Sequence, residues 1–301
     1  MTATAETITS EPKTVDRHTL WSRCLREPRF VAGLALTAIV LAIAFIGPVF
    51  AAHSAGDLVG MPYQGPSSAT PLGTDYLGQD VLSRTLLGGR SVVWMAALAT
   101  ILGVVIGSAI GLLAGYSSGL VDNTLMRIMD IILAFPGIVL VLLFVSLLGP
   151  KPLLISGVVA LAWIPGVARV VRGATMEVAK REYTQAAQAL GASTPYILFR
   201  EILPNVITPI MVEFGLRLTW SIGVVAAISF VGQGLQPPAA DWGLMVNQNR
   251  LGLAIQPWGL IAPVLCIAVF TLGTNLLTEG VGRVIGRIGP RRNRKKGTAG
   301  K

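Results

Sequence analysis

Phe30-Val31-Ala32-Gly33-Leu34-Ala35-Leu36-Thr37-Ala38-Ile39-Val40-Leu41-Ala42-Ile43-Ala44-Phe45-Ile46-Gly47-Pro48-Val49-Phe50 carries no charged side chain over 21 residues. At about 1.5 Å per residue such a helix is roughly 30 Å long, the thickness of a bilayer's hydrocarbon core. Its apolar residues do not gather into the single stripe by which a soluble helix joins a core; they lie on every face. The stretch therefore reads as a membrane-spanning helix. It is long enough to span and ends in Gly47-Pro48-Val49-Phe50 rather than a small-residue cleavage site, so it is read as a retained helix and not a signal peptide.

Five further apolar runs follow, and the six spans are expected at about 30–50, 91–116, 131–149, 153–171, 207–231 and 258–280. The fold class is thus an all-α, polytopic membrane protein with six transmembrane helices. Composition agrees: 52% of residues are hydrophobic and 13% are charged, about half the usual charged share of a soluble domain. Mean hydropathy is +0.66.

The net charge of +9 is placed rather than spread. If the N-terminus is cytoplasmic, 19 of the 24 Lys and Arg fall on cytoplasmic segments, including the tail Arg291-Arg292-Asn293-Arg294-Lys295-Lys296. The positive-inside bias therefore puts both termini in the cytoplasm, and an even span count agrees. The tail reads as an anchor beside anionic membrane lipid rather than a nucleic-acid patch. Cys24 and Cys266 are expected in different layers, so no disulfide framework is implied. The organisation expected is a cytoplasmic segment over 1–29, a first helix and extracytoplasmic segment over 30–90, a core over 91–283 and a basic tail over 284–301.

Several chemistries lack their residues. There is no G-x-x-x-x-G-K-[ST] loop to cradle ATP phosphates. His18 and His53 fall in different compartments and no H-E-x-x-H occurs, so no metal-ligand set is visible. Gly115-Tyr116-Ser117-Ser118-Gly119 matches the nucleophile-elbow pattern, but a transmembrane helix precedes it and no histidine follows residue 53. It reads as a Gly-rich turn. No catalytic residue is assigned.

Three features inside the spans carry more. Gly103, Gly107, Gly111 and Gly115 recur every fourth residue and so leave one helical face without side chains. The stripe fits close packing within the chain or, alternatively, a subunit interface. Trp163-Ile164-Pro165-Gly166 should kink the fourth span. Glu213 and Arg217 lie four apart on the fifth span, as an intramembrane ion pair or as lining of a pathway.

The segment Arg181-Glu182-Tyr183-Thr184-Gln185-Ala186-Ala187-Gln188-Ala189-Leu190-Gly191-Ala192 reads as a compact helix stopped at Gly191. After Ser193-Thr194-Pro195, a second short helix is expected from Tyr196 to Leu203, broken at Pro204. Two short helices joined by a tight turn make a protruding knob, a shape suited to a partner's cleft.

The run Gln185-Ala186-Ala187, Gly191 and Ile202-Leu203-Pro204-Asn205 resembles the "EAA" loop of membrane subunits of ABC importers, with Gln185 where the family's name has Glu. Leu72-Gly73-Thr74-Asp75-Tyr76-Leu77-Gly78-Gln79-Asp80, Gln236-Pro237-Pro238 and Asn275-Leu276-Leu277 narrow the resemblance to the C-type permease subunit of the dipeptide/oligopeptide (and nickel) branch. The resemblance implies a type I importer permease fold. It implies docking to ATPases through the 182–204 loop, with Glu182, Gln185, Ala186, Ala187, Gly191, Leu203 and Pro204 as coupling residues. It further implies a homologous B-type permease subunit, two cytoplasmic ATPase subunits and an extracytoplasmic substrate-binding protein as partners. This chain would hold no cofactor, ATP and magnesium being on the ATPases, and would sit in a bacterial inner membrane. Peptide is the substrate the branch implies, with nickel, haem or another small solute as alternatives. A gradient-driven carrier or channel is the reading from a different class.

Overall fold

The computed structural model describes residues 24–117 and 119–286. The basic tail, His18 and the first 23 residues, on which part of the charge argument rests, lie outside the described residues. Among those described there are no β-strands, only the isolated bridges Leu58–Gln79 and Thr74–Asp80. The helices are α1 (Pro28–Phe45), α2 (Val81–Tyr116), α3 (Leu120–Leu133), α4 (Gly137–Leu148), α5 (Pro152–Ala179), α6 (Glu182–Ala189), α7 (Leu203–Phe230), α8 (Trp242–Asn249) and α9 (Trp258–Gly286).

Five helical segments are long and apolar enough to cross a membrane, and α3 with α4 make a sixth if the bent pair is one span. The expected single helix over 131–149 is thus corrected. It is two helices meeting at 76°. The cause is local: Pro136 takes φ −58° and ψ 126° as the N-cap of α4, and a proline also disfavours helical geometry in the residue before it. At twelve residues α4 is only about 18 Å long, too short to span alone. The first span is also shorter than expected, since Gly47-Pro48-Val49-Phe50 forms a 3₁₀ turn. The second is longer and begins at Val81, capped by Asp80, whose side chain accepts from the Leu82 and Ser83 amides. Pro165 is accommodated inside α5, which runs unbroken through it.

The glycine stripe of α2 lies against α5 of the same chain, the most extensive helix pairing among the described residues. A Cβ on Gly107 would stand 2.8 Å from Val167 Cβ and 2.9 Å from the Ile164 carbonyl oxygen. One on Gly111 would stand 2.7 Å from the Ala168 carbonyl oxygen, and one on Gly115 2.7 Å from that of Arg172. Gly103 is the loosest, at 3.1 Å from Trp163 Cβ. A second small-residue seam, not anticipated from sequence, joins α1 to α9. There a Cβ on Gly33 would meet the Leu277 amide at 2.5 Å, and one on Gly280 would meet Phe30 Cβ at 2.7 Å. Between these seams a core of Val92, Met95, Ala99, Val158, Val159, Ile222, Val225, Trp242 and Met245 fills the centre.

Gly107→Val should lower stability by about 1–3 kcal/mol through overpacking against Val167. Gly157→Ala, where a Cβ meets nothing within 4 Å, should leave stability equal or slightly raised. Thermal unfolding of the detergent-solubilised variants measures both.

Candidate coupling surface and polar core

α6 stands on the face where α2 ends and α5 gives way to the 180–203 segment. Thr184 anchors it: buried, its Oγ1 donates to the Val178 carbonyl at 3.0 Å. From the other end Gln188 Nε2 donates to the Tyr116 hydroxyl at 2.8 Å. The helix closes as a Schellman motif. The Ala192 amide donates to the Ala187 carbonyl (3.1 Å) and the Gly191 amide to that of Gln188 (3.0 Å). This needs a left-handed residue at Gly191, which has φ +80°.

Of the residues assigned from sequence, Glu182, Gln185, Ala186, Gly191 and Pro204 are exposed, while Ala187 and Leu203 are half-buried against the core beneath. Around them Tyr183, Leu190, Tyr196 and Phe199 are also exposed, Leu190 at 88%. Four large apolar side chains on one short, well-anchored segment are unusual for a solvated connection, and fit a surface covered by a partner.

The second half of this segment differs from expectation. Pro204 does not break the helix. One α turn (Thr194–Tyr196) passes into a π-helical stretch, Ile197–Ile202, and directly into α7. The Leu203 amide reaches back to the Leu198 carbonyl, five residues away, and Pro204, which has no amide hydrogen, falls in the first turn of α7, where none is needed. Ile197, Leu198 and Ile202 are buried against Val171, Val178 and Val206.

Three turns further along α7, Glu213 is buried and accepts from Arg217 Nε (3.0 Å) and Nη2 (2.8 Å). The guanidinium lies 5.4 Å from the centre of the Trp163 ring and rests on Gly166, where a Cβ would be 2.7 Å away. The Pro165-Gly166 step thus makes room for Arg217. Trp163 Nε1 donates to Ser221 Oγ at 2.9 Å, and Thr100 Oγ1 donates to the same oxygen at 3.0 Å. One polar chain therefore ties α2, α5 and α7 together inside an apolar core.

Sequence reasoning missed a second cluster at the opposite face. Arg84, 1% exposed, donates to Asp75 and Gln79, and to Gln248 at 3.2 Å. Asp75 also accepts from the Leu77 and Gln79 amides, both at 2.9 Å. The Tyr76 amide donates to Asn249 Oδ1 at 3.1 Å. These bonds fasten the Gly73–Asp80 loop to α2 and α8. The signal available was Asp75 with Arg84 nine residues on, at the start of a helix. Asp241 caps α8, accepting from the Leu244 amide (3.1 Å) and from Ser91 (2.7 Å). Its burial pushes the carboxyl above its ordinary 3.8. Among the described residues no group of three or more His, Cys, Asp or Glu could hold a metal ion.

The sequence pattern of the family described as binding-protein-dependent transport system inner membrane component matches residues 107–287. The chain belongs to that family. Glutathione transport system permease protein GsiD of Pectobacterium atrosepticum is 37% identical over 283 residues, covering 93% of this chain and 94% of that one. The Escherichia coli protein of the same name is 35% identical over 266 residues, 88% of each. Among solved structures, an inward-facing MetNI methionine ABC transporter chain superposes with a TM-score of 0.52 at 19% identity, covering 67% of this chain and 96% of that one. The fold is therefore that of an ABC importer permease, and the chain is a multi-pass membrane permease component of a transport system.

Two outcomes test the opposite-face cluster. Asp75→Ala should cost about 3–5 kcal/mol, because it leaves the Arg84 charge buried without its carboxylate; chemical denaturation of the solubilised chain measures it. Asp241 holds its proton to higher pH folded than unfolded. Its contribution to stability is therefore full below about pH 4 and is lost as pH rises through the raised value. Asp241→Asn should flatten that decline in melting temperature, while Asp241→Ala should lower stability at every pH through loss of the cap.

Proposed function

We propose that the chain is one of two membrane subunits of an ATP-driven, binding-protein-dependent importer for peptide-like solutes. The 182–204 loop would be its contact with a cytoplasmic ATPase. The observation that carries this reading is the exposed Tyr183, Leu190, Tyr196 and Phe199 around an α6 held rigidly by Thr184, Gln188 and the Gly191 turn. A rigid apolar protrusion joined to a membrane helix without a linker can both bind a moving partner and transmit its motion. Family membership and the two glutathione permease relatives supply the transport class and favour a short peptide as cargo.

In this reading the face carrying 180–203 and both termini are cytoplasmic, and the Arg84 face meets an extracytoplasmic binding protein. A homologous B-type subunit completes the pathway, and two ATPases hold ATP and magnesium, leaving this chain without a cofactor. ATP-driven closure of the ATPases would displace α6. Through α7 that displacement would reach Glu213 and Arg217, which stand beside the translocation path or brace it. Solute delivered outside would leave inside.

Gly191→Pro, which cannot adopt φ +80°, and Glu182→Lys should each abolish ATP-driven uptake of a labelled tripeptide while leaving membrane insertion and amount unchanged. Co-purification of the ATPase should fall in parallel. Normal uptake by both variants would sink the docking role. Uptake by the chain alone, driven by an ion gradient and insensitive to vanadate, would sink the importer reading itself.

A further inference from the structure

Between α3 and α5, toward the face that carries the 180–203 segment, lies a cavity of about 820 Å³ lined by Asn123, Met126, Arg127, Asp130, Arg169 and Arg172. Its charges are unequally matched. Arg172 is committed to Asp122 through two bonds of 2.6 Å, and Arg169 meets Asp130 at 2.5 Å. Arg127 has no ion pair or hydrogen-bond partner among the described residues. Three guanidinium groups thus answer two carboxylates, and the cavity keeps one positive charge.

The surroundings say what kind of anion would balance it. Asn123, Arg127 and Asp130 recur at helical spacing and share one face of α3. Elsewhere on the same helix Leu120, Val121, Ile128 and Ile131 are exposed, at 84%, 52%, 45% and 59%. In a membrane-spanning chain such residues meet acyl chains wherever no partner subunit covers them. Arg172 stands seven residues, about 10 Å, from the end of α5, a depth at which arginine side chains reach the headgroup layer.

We propose that this cavity seats the phosphate of an anionic phospholipid. Arg127 supplies the uncommitted guanidinium, Arg169 and Arg172 add their remaining N–H donors, and the Asn123 amide completes the set. The acyl chains run along the apolar ridge of α3. A soluble anion, such as the carboxylate of a transported solute, shares the headgroup's chemistry but leaves that ridge without a role. The inference rests on the membrane fold and is independent of what the permease carries.

The full chain, purified in a non-ionic detergent, would be titrated with phosphatidylglycerol, phosphatidylcholine and inorganic phosphate, with bound lipid read by native mass spectrometry. Phosphatidylglycerol should be retained preferentially. Arg127→Gln should weaken it about fivefold, and Asp130→Asn, which removes a competing carboxylate, should strengthen it. Melting temperatures without lipid show whether either variant is merely misfolded, and the opposite signs of the two effects keep the test decisive if one is. Equal retention of the two lipids overturns the proposal, as does a preference that neither variant moves. Binding of inorganic phosphate or a soluble anionic peptide as tightly as the lipid also overturns it and assigns the cavity to a soluble anion.

Discussion

The close approach of α2 and α5 is the constraint on which the rest of the molecule depends. Lipid tails are as apolar as leucine, so burying apolar surface against lipid gives helices little reason to associate; contact area and shape must do it. Gly107, Gly111 and Gly115 let the backbones of α2 and α5 come within van der Waals range over more than two turns. That contact fixes where Trp163 and Gly166 stand, and hence where Arg217 can lie. Beside it α2 meets α7, where the hydroxyls of Thr100 and Ser221 pair inside an apolar core. The packing is steric in origin, yet it sets the positions of the polar groups.

The same economy of unsatisfied groups governs both faces. Arg84 is buried only because Asp75, Gln79 and Gln248 converge on it. Their convergence pins an otherwise irregular loop across the ends of α2 and α8. At the other face Thr184, Gln188 and the Gly191 turn hold α6 in place while its apolar side chains remain uncovered. One face is closed by its own bonds and the other is left open for contact.

What could be read from the sequence was whatever is local. Charge-free runs, the four-residue glycine period and the Glu213–Arg217 spacing are properties of single helices, and each is visible along the chain. The helix end at Gly191 is equally local. The bend at Pro136 was legible in principle, but it sits within an apolar stretch whose total length mimics one span. Pro204 misled for the opposite reason: a breaking residue was rendered harmless by five-residue hydrogen bonding just before it, which no propensity encodes. Arg84 with Gln248, and Asp122 with Arg172, join residues far apart in the chain. Their pairing follows from helix packing and has no signature in either segment.

The π-helical turn at Ile197–Ile202 has a mechanical meaning. A loop between Tyr196 and α7 would act as a soft spring and absorb small displacements within itself. Helix continues instead from Thr194 to Phe230, its hydrogen-bond ladder altered at the π turn and opened at Pro209. Seventeen residues separate Tyr196 from Glu213, about 25 Å of helix whose bending points are the π turn and Pro209. A displacement of its tip then reaches the place where Arg217 rests on the Trp163 ring by bending of helix at those two points, with no loop between to absorb it.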